Sequence, residues 1–188
     1  MATLALFDFD HTLYKKDSLL EFTKFHCGSA FYIGMLKLLP QLIGMKVGFL
    51  DNEKVKSDYI THFFGNIDYA VFAASAARFA KERIDAGIDQ KFLAKMQQHL
   101  KEGHQVYIVT ASAPEWIQPW SGQYNVSVIG TKLETKDGIL TGNFASPNCQ
   151  GLQKVSRIRE TIDLDAFEKI FVYGKGKGDR DMLKLQKF

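Results

Sequence analysis

The chain has 188 residues, of which 46% are hydrophobic and 24% are charged, as expected for one globular domain or one domain with an insertion. Its 24 basic residues exceed its 21 acidic residues by only three, and no basic run alternates with aromatic residues, so a nucleic-acid partner is not expected. The two cysteines, Cys27 and Cys149, are far apart and fit a reducing cytoplasm rather than a disulfide framework.

The most apolar stretch of the chain covers residues 31–50 and includes Lys37, Pro40 and Lys46. A charged side chain at the centre of a bilayer is costly, so buried helices, or a helix pair bent at Pro40, are favoured over a membrane-spanning helix, and no membrane partner is expected. The apolar run at the N-terminus lacks the basic lead and cleavage site of a signal peptide. We therefore expect a cytoplasmic protein.

The predicted elements begin with a buried strand at residues 4–7, followed by a helical stretch at residues 15–86 that is dense in phenylalanine. Helical and extended patterns then alternate, and the Asp137-Gly138 pair between two short extended runs is typical of a β-hairpin. The remaining predictions, in chain order, are a helix at 92–100, strands at 105–109 and 126–129, hairpin strands at 133–135 and 139–141, a helix at 155–162 and a strand at 170–173.

Strands alternating with helices predict an α/β fold, with a three-layer Rossmann-like core built on a parallel sheet. The helical stretch is too long for a simple crossover between strands. We interpret it as a helical cap inserted after the first strand. The predicted core comprises residues 1–14 and 87–188, and the predicted cap comprises residues 15–86.

Asp8 and Asp10 directly follow the first predicted strand. Side chains two positions apart in an extended chain point to the same side, so the two carboxylates need a cation or a shared proton. One carboxylate can attack phosphorus as a nucleophile, and its neighbour can act as general acid and base. This segment alone fits a solvated turn after an edge strand equally well.

Further polar side chains are expected at the same edge of the sheet as this aspartate pair. Thr110 and Ser112 follow the strand at 105–109, Asp179 follows the last strand, and Lys154 lies between them in the chain. In open α/β sheets, ligands bind outside the carboxyl ends of the strands. The sequence therefore places one candidate site there.

The segment Asp8-Phe9-Asp10-His11-Thr12-Leu13 resembles motif one, DxDx[TV][LV], of the haloacid dehalogenase (HAD) superfamily. Residues 107–110, Lys154 and residues 173–183 are similar to motifs two, three and four, in the same order. The resemblance extends from Leu4 to Leu185. The helical insertion and the later hairpin are similar to those of the phosphoserine phosphatase-like subfamily.

The resemblance implies a role for each matching residue. Asp8 would be the nucleophile and a magnesium ligand. Asp10 would act as acid and then base, and its backbone carbonyl would also bind the metal. Thr110 would hydrogen-bond the phosphoryl oxygens, Lys154 would offset negative charge, and Asp179 would be a further metal ligand.

The implied activity is a magnesium-dependent phosphomonoester hydrolase acting through an aspartyl-phosphate. Mg²⁺ prefers carboxylates, waters and phosphate oxygens, which this set of residues offers. Haloacid dehalogenases proper lack the second aspartate of motif one, so Asp10 favours phosphate chemistry. The expected partner is a small phosphorylated metabolite, and the sequence leaves its identity and the oligomeric state open.

Motif four departs from the family pattern. Aligned on Met182-Leu183, Asp179 takes the place of the second family aspartate and Lys175 that of the first, usually a metal ligand. With an effective dielectric constant of about 20, two unit charges about 4 Å apart interact with an energy of about 4 kcal/mol. Metal affinity should fall unless Lys175 points away and Asp179 takes its place as a ligand. The other register aligns Gly178-Asp179 with the family Gly-Asp, and Leu183 then replaces the second acid.

Two alternative functions follow from this departure and from the chemistry. The first is a catalytically impaired HAD-fold protein that binds a phosphorylated ligand or partner without efficient turnover, with Lys175 as its basis. The second is a phosphotransferase that passes the phosphoryl group to an alcohol.

Three residues are candidate substrate contacts. Asp17 lies nine positions after Asp8, where phosphoserine phosphatases carry an acidic residue for the substrate amine, but it also precedes Ser18 as a helix N-cap would. Ser112 can donate to the phosphate beside Thr110. His11 occupies a variable family position near the entrance.

Overall fold

The computed structural model describes residues 2–188, apart from the side chain of Asn52. The elements are, in chain order, β1 (Thr3–Phe7), α1 (Ser18–Cys27), α2 (Ala30–Lys46), α3 (Asn52–Phe64), β2 (Ile67–Asp68), α4 (Tyr69–Gly87), α5 (Gln90–Lys101), β3 (Gln105–Val109), α6 (Gln118–Ser121), β4 (Ser127–Ile129), β5 (Leu133–Lys136), β6 (Ile139–Phe144), α7 (Leu152–Thr161), β7 (Lys169–Tyr173) and α8 (Arg180–Leu183).

The central sheet is parallel, with strand order β4-β3-β1-β7. Every residue of β1 is buried, as in a strand covered on both faces. Phe7 pairs with Ile108 of β3 and Tyr173 of β7, so the carboxyl ends of three strands meet at one edge. This sheet confirms the predicted α/β, Rossmann-like fold.

Alternate residues of β1 enter two separate hydrophobic cores, because successive side chains point to opposite faces of a sheet. Ala5 and Phe7 pack in the core that includes Met96 of α5. Leu4 and Leu6 pack in the core that includes Ile158 of α7. The sheet is therefore the middle layer of three.

Helices α1 to α4 lie between β1 and α5 in the chain. Helix α3 packs on β6, the second strand of the predicted hairpin. Within this stretch the structure has a short strand, β2, where the sequence predicts only helix. Ile67 and Asp68 pair antiparallel with Leu140 and Ile139 of β6. Among residues 2–188, no helix combines the length and the apolar character needed to cross a bilayer.

Candidate active site

Asp8 lies at the carboxyl end of β1, where its backbone N–H donates to the carbonyl of Tyr173 at 2.8 Å. Asp8 is 5% exposed, and its carboxylate accepts two hydrogen bonds. Lys154 Nζ donates to Oδ1 at 2.6 Å, and Thr12 Oγ1 donates to Oδ2 at 2.8 Å. Burial raises the pKa of the Asp8 carboxyl above its ordinary value, whereas the contacts with Lys154 and Thr12 partly oppose this rise and fix the orientation of the carboxylate.

Lys154 projects from the first turn of α7 and is 2% exposed. Its Nζ also donates to Asp179 Oδ1 at 2.6 Å and to the carbonyl of Val109 at 2.9 Å. Burial alone would lower the pKa of this ammonium, but Asp8 and Asp179 outweigh burial and hold the pKa above its ordinary value. A buried cation therefore bridges two buried carboxylates.

Asp179 follows β7 and is almost fully buried. Its Oδ2 accepts from the backbone N–H of Gly176 at 2.7 Å, which holds the carboxylate toward Lys154. A Cβ atom at Gly174 would lie 2.7 Å from Cβ of Asp179, so this approach requires glycine there. The turn after β7 thus brings Asp179 to Asp8 through Lys154.

Lys175 lies in the same turn but is directed elsewhere. Its Nζ is 3.7 Å from Oδ2 of Asp89, the residue that caps α5, and 4.4 Å from the ring centre of Phe92. Its side chain is half exposed. Neither contact involves the Asp8–Lys154–Asp179 group.

Asp10 is partly buried and each carboxylate oxygen accepts a short hydrogen bond. Ser18 N–H donates to Oδ1 at 2.6 Å, and Ser112 Oγ donates to Oδ2 at 2.7 Å. Thr110 Oγ1 lies 3.4 Å from Oδ2. Burial raises the pKa of the Asp10 carboxyl to about 6, the nearby Asp17 carboxylate adds to the rise, and the bonds from Ser112 and Ser18 partly oppose it.

The hydroxyl groups beside Asp10 form a chain that the sequence did not reveal. Trp116 Nε1 donates to Ser18 Oγ at 3.1 Å, and Ser18 Oγ lies 3.1 Å from Ser112 Oγ, which donates to Asp10. Ser18 and Ser112 are 94 positions apart. Only the start of a helix after Asp17 marks Ser18 in the sequence, because the rest of its role is tertiary.

A cavity of about 550 Å³ opens over these groups. Six of the predicted site residues line it: Asp8, Asp10, Asp17, Ser112, Lys154 and Asp179. Thr110 is fully buried, with Oγ1 accepting from the backbone N–H of Ser112 at 3.0 Å. His11 is exposed, with a left-handed φ of 60°, and is not one of the described residues that line the cavity.

Asp17 is both an N-cap residue and a residue of the cavity wall, the two placements considered for it from the sequence. Its Oδ1 accepts from the backbone N–H of Leu20 at 2.9 Å, so it caps the N-terminus of α1. The same residue lines the cavity near Asp10.

Lys56 of α3 also lines the cavity, and sequence reasoning missed it. Its Nζ donates to the carbonyl of Ala111 and to Oδ1 of Asn148, both at 2.7 Å. Burial lowers its pKa to about 8, although the Asp10 and Asp17 carboxylates partly oppose this. A lysine in an amphipathic helix usually indicates solvated surface, so no sequence signal marked it.

The sequence model of the haloacid dehalogenase-like hydrolase family matches residues 5–184. The chain belongs to this family. The match includes Asp8, Asp10, Lys154 and Asp179, the charged groups described above.

Two curated proteins and a solved structure are similar to this HAD-family chain. Protein CicA of Caulobacter vibrioides is 30% identical over 184 residues, covering 97% of this chain and 82% of CicA. A histidinol-phosphatase of Neisseria meningitidis serogroup C is 28% identical over an alignment of 216 residues, covering 98% of this chain and 87% of that protein. A substrate-bound phosphoserine phosphatase shares the fold, with a TM-score of 0.60, 18% identity, and coverage of 99% of this chain and 83% of that one. The match to this family identifies the chain as a haloacid dehalogenase-like hydrolase.

Phosphatases of the HAD family generally use a divalent metal ion. The Asp8 and Asp179 carboxylates and the Asp10 backbone carbonyl are hard oxygen donors of the kind such an ion prefers, and Lys154 pairs with both carboxylates in this structure. The charge of Lys175, which would oppose a cation, is directed to Asp89 and Phe92 instead.

Proposed function

We propose that the chain is a magnesium-dependent phosphomonoester hydrolase that acts through an aspartyl-phosphate on Asp8. One observation carries this proposal. The carboxylate of Asp8, paired with Lys154, and the carboxyl of Asp10, with its raised pKa, line the same cavity. Burial raises the pKa of both carboxyl groups, but only Asp8 is paired with an ammonium, so the two groups are suited to separate nucleophilic and acid–base roles.

In the first step, an Asp8 carboxylate oxygen attacks phosphorus and the bond from phosphorus to the ester oxygen breaks. Asp10 gives its proton to the leaving alcohol. The Lys154 ammonium offsets the negative charge brought together by the carboxylates and the phosphoryl group. Hydrogen bonds from Ser18 and Ser112 hold Asp10 in position for this transfer.

In the second step, the ionised Asp10 takes a proton from a water molecule, whose oxygen attacks the phosphorus of the aspartyl-phosphate. The acyl phosphate bond breaks, which regenerates Asp8 and releases inorganic phosphate. The sum is phosphomonoester plus water giving alcohol plus phosphate.

We propose that Asp8, the backbone carbonyl of Asp10, and Asp179 hold the magnesium ion. When bound, Mg²⁺ supplies positive charge that stabilises the phosphoryl oxygens. We also propose that residues 15–86 form the cap that shields this site from bulk water, and that Asp17 and Ser112 contact a small phosphorylated substrate.

The orientation of Lys175 favours this hydrolase over a catalytically impaired HAD-fold protein. That alternative depended on a lysine charge at the metal, and the ammonium lies against Asp89 and Phe92. A phosphotransferase would use the same first step and pass the phosphoryl group to an alcohol instead of water.

The test is hydrolysis of p-nitrophenyl phosphate with and without millimolar magnesium, comparing the wild type with Asp8→Asn. Asp165→Asn, on an exposed residue, is the matched control. We expect magnesium-dependent turnover that Asp8→Asn abolishes and Asp165→Asn preserves. Absence of turnover in a folded wild type would favour the impaired protein, and phosphorylation of added alcohols would favour the phosphotransferase.

A further inference from the structure

Helix α2 presents large apolar side chains to solvent along its length. Ile33 is 64% exposed and Leu36 is 70% exposed, and Phe49, just beyond the helix, is 87% exposed. We call the exposed apolar residues of this helix the α2 stripe: Tyr32, Ile33, Leu36, Leu39, Ile43 and Val47, the residue that caps its C-terminus.

The α2 stripe follows the periodicity of one helix face. Positions 32, 36, 39, 43 and 47 are separated by four, three, four and four residues, the spacing of side chains that align on an α-helix. Only Gly34 and Leu38 of this 17-residue helix are fully buried. A helix that is apolar on its outer face needs a further apolar surface to cover it.

The α2 stripe continues into the candidate active site. Met35, Leu42 and Met45 of the same helix line the cavity that holds Asp8 and Asp10. Met35 and Leu42 lie one turn from Leu39 of the stripe, on adjacent positions of the helix surface. One apolar surface therefore runs from solvent to the mouth of the cavity.

The charges on α2 itself are basic, whereas the acidic Asp51 and Glu53 lie just beyond it at the start of α3. Lys37 and Lys46 of the helix and Lys24 of α1 are exposed, and the sequence of α2 contains no acidic residue. Lys24 Nζ lies 5.8 Å from the ring centre of Tyr32. An apolar face bordered by lysines complements a phospholipid surface, which offers acyl chains beneath phosphate groups. A second copy of this face would bring the same lysines together.

We propose that the α2 stripe lies on a phospholipid membrane and that the substrate is a lipid with a terminal phosphomonoester. This rests on the proposed function, and it replaces the water-soluble metabolite favoured by the sequence with an amphiphile. The apolar part of the lipid follows Met35, Leu42 and Met45 into the cavity, while its phosphate reaches Asp8. Hydrolysis converts the lipid phosphomonoester and water to the lipid alcohol and inorganic phosphate.

Flotation with vesicles tests the docking surface. The probe is phosphatidylcholine vesicles containing about a third phosphatidylglycerol, a fraction chosen to give a negative surface. We expect the wild type to float with the vesicles and the double variant Leu36→Glu/Ile43→Glu to bind at least about tenfold more weakly, since two apolar side chains that would enter the membrane are lost. Val71→Glu, on an equally exposed residue of α4, should float like the wild type. Equal binding by all three proteins, or none by the wild type, overturns the proposal.

Activity on two esters with the same head group tests the substrate. The probes are dioleoyl phosphatidate in these vesicles and glycerol 3-phosphate in solution. We expect kcat/KM of the wild type to be roughly a hundredfold higher for the lipid, as an additional buried apolar chain segment would give. The double variant should lose this preference and retain hydrolysis of p-nitrophenyl phosphate.

The outcomes separate the two proposals. Hydrolysis of p-nitrophenyl phosphate without vesicle binding or lipid preference overturns the lipid proposal and leaves the hydrolase standing. Vesicle binding without hydrolysis of any ester overturns the hydrolase, and the lipid substrate with it. Sedimentation could instead show that the wild type is a dimer and the double variant a monomer. Together with an absence of vesicle binding, this result would overturn the lipid proposal and identify a second copy of the chain as the occupant of the α2 stripe.

Discussion

Lys175 and Asp89 form an ion pair at 3.7 Å that joins the turn after β7 to the start of α5. The ammonium also lies over the ring of Phe92, so two contacts hold it on that side of the turn. The family pattern would place a metal-binding carboxylate at this position. The structure shows how the turn accommodates a lysine there while Asp179 remains bonded to Lys154.

Removing the charge of Lys175 should therefore change activity little. A half-exposed ion pair contributes about 0.2–1 kcal/mol, and it does not involve Asp8. We expect kcat/KM of Lys175→Met to remain within about threefold of the wild type, and Lys175→Asp to reach half-maximal activity at lower magnesium. Magnesium titrations of p-nitrophenyl phosphate hydrolysis measure both, with Lys177→Met as the control from the same turn. A large activation by Lys175→Met would show that the lysine charge acts on the metal site.

Asp10→Asn should separate the two chemical steps. The amide cannot donate a proton as an acid or accept one from water, so both steps slow. Because p-nitrophenolate leaves with little protonation, we expect a burst of about one p-nitrophenol per enzyme, followed by slow turnover. Rapid-quench experiments measure the burst. The aspartyl-phosphate is measured as labelled phosphate that stays on the protein after the reaction is quenched with acid. Ser156→Ala, a change on the exposed side of α7, is the control. Wild-type steady-state rates in Asp10→Asn would exclude the acid–base role.

The sheet could be predicted because each strand carries a local signal. Strands β1, β3 and β7 are short apolar runs, and their predicted bounds agree with the structure to within one residue. The turn at Asp137-Gly138 adopts positive φ at both residues, as its composition indicated. Strand β2 could not be predicted, because two residues have no period and their partner, β6, is about seventy positions later.

The site could be predicted only in part, for the same reason. Asp8 and Lys154 were identified through motifs, and their contact at 2.6 Å spans 146 positions. Lys56 and Ser18 gain their roles from partners distant in the chain, such as Asn148 and Trp116. The exposure of α2 could not be predicted from its hydrophobic pattern, because a uniformly apolar helix is ordinarily buried.

The contribution of Lys56 to the free energy of unfolding should change with pH in the alkaline range. Burial lowers its pKa from an ordinary 10.5 to about 8, so between these values the unfolded chain binds more protons at this site than the folded one. The free energy of unfolding therefore gains with rising pH in this window, by up to about 1.4 kcal/mol per pH unit. Lys56→Met lacks this contribution.

Urea denaturation at several pH values from 7.5 to about 10.5 measures this effect as the wild type minus Lys56→Met. Taking the difference cancels the groups that titrate in the window without acting on Lys56, whereas Cys149, whose pKa burial raises to about 11, interacts with Lys56 and contributes to the difference. Lys54→Met, on an exposed residue of the same helix, should show no such slope. A flat difference for Lys56→Met would mean that its ammonium is not desolvated.

The ring of Phe22 joins helices α1 and α4 to the loop after β3. It is fully buried, with its ring centre 5.0 Å from that of Trp116 and 5.3 Å from that of Phe72. Phe22→Ala should lower the free energy of unfolding by about 3–5 kcal/mol, because it removes apolar contacts and leaves a cavity. Phe22→Leu, which fills part of that space, should cost less, and Phe49→Ala, on an 87% exposed ring, should change stability by less than about 0.5 kcal/mol. Urea denaturation ranks the three variants. A loss for Phe22→Ala no larger than that for Phe49→Ala would show that helices α1 to α4 do not unfold together with the sheet.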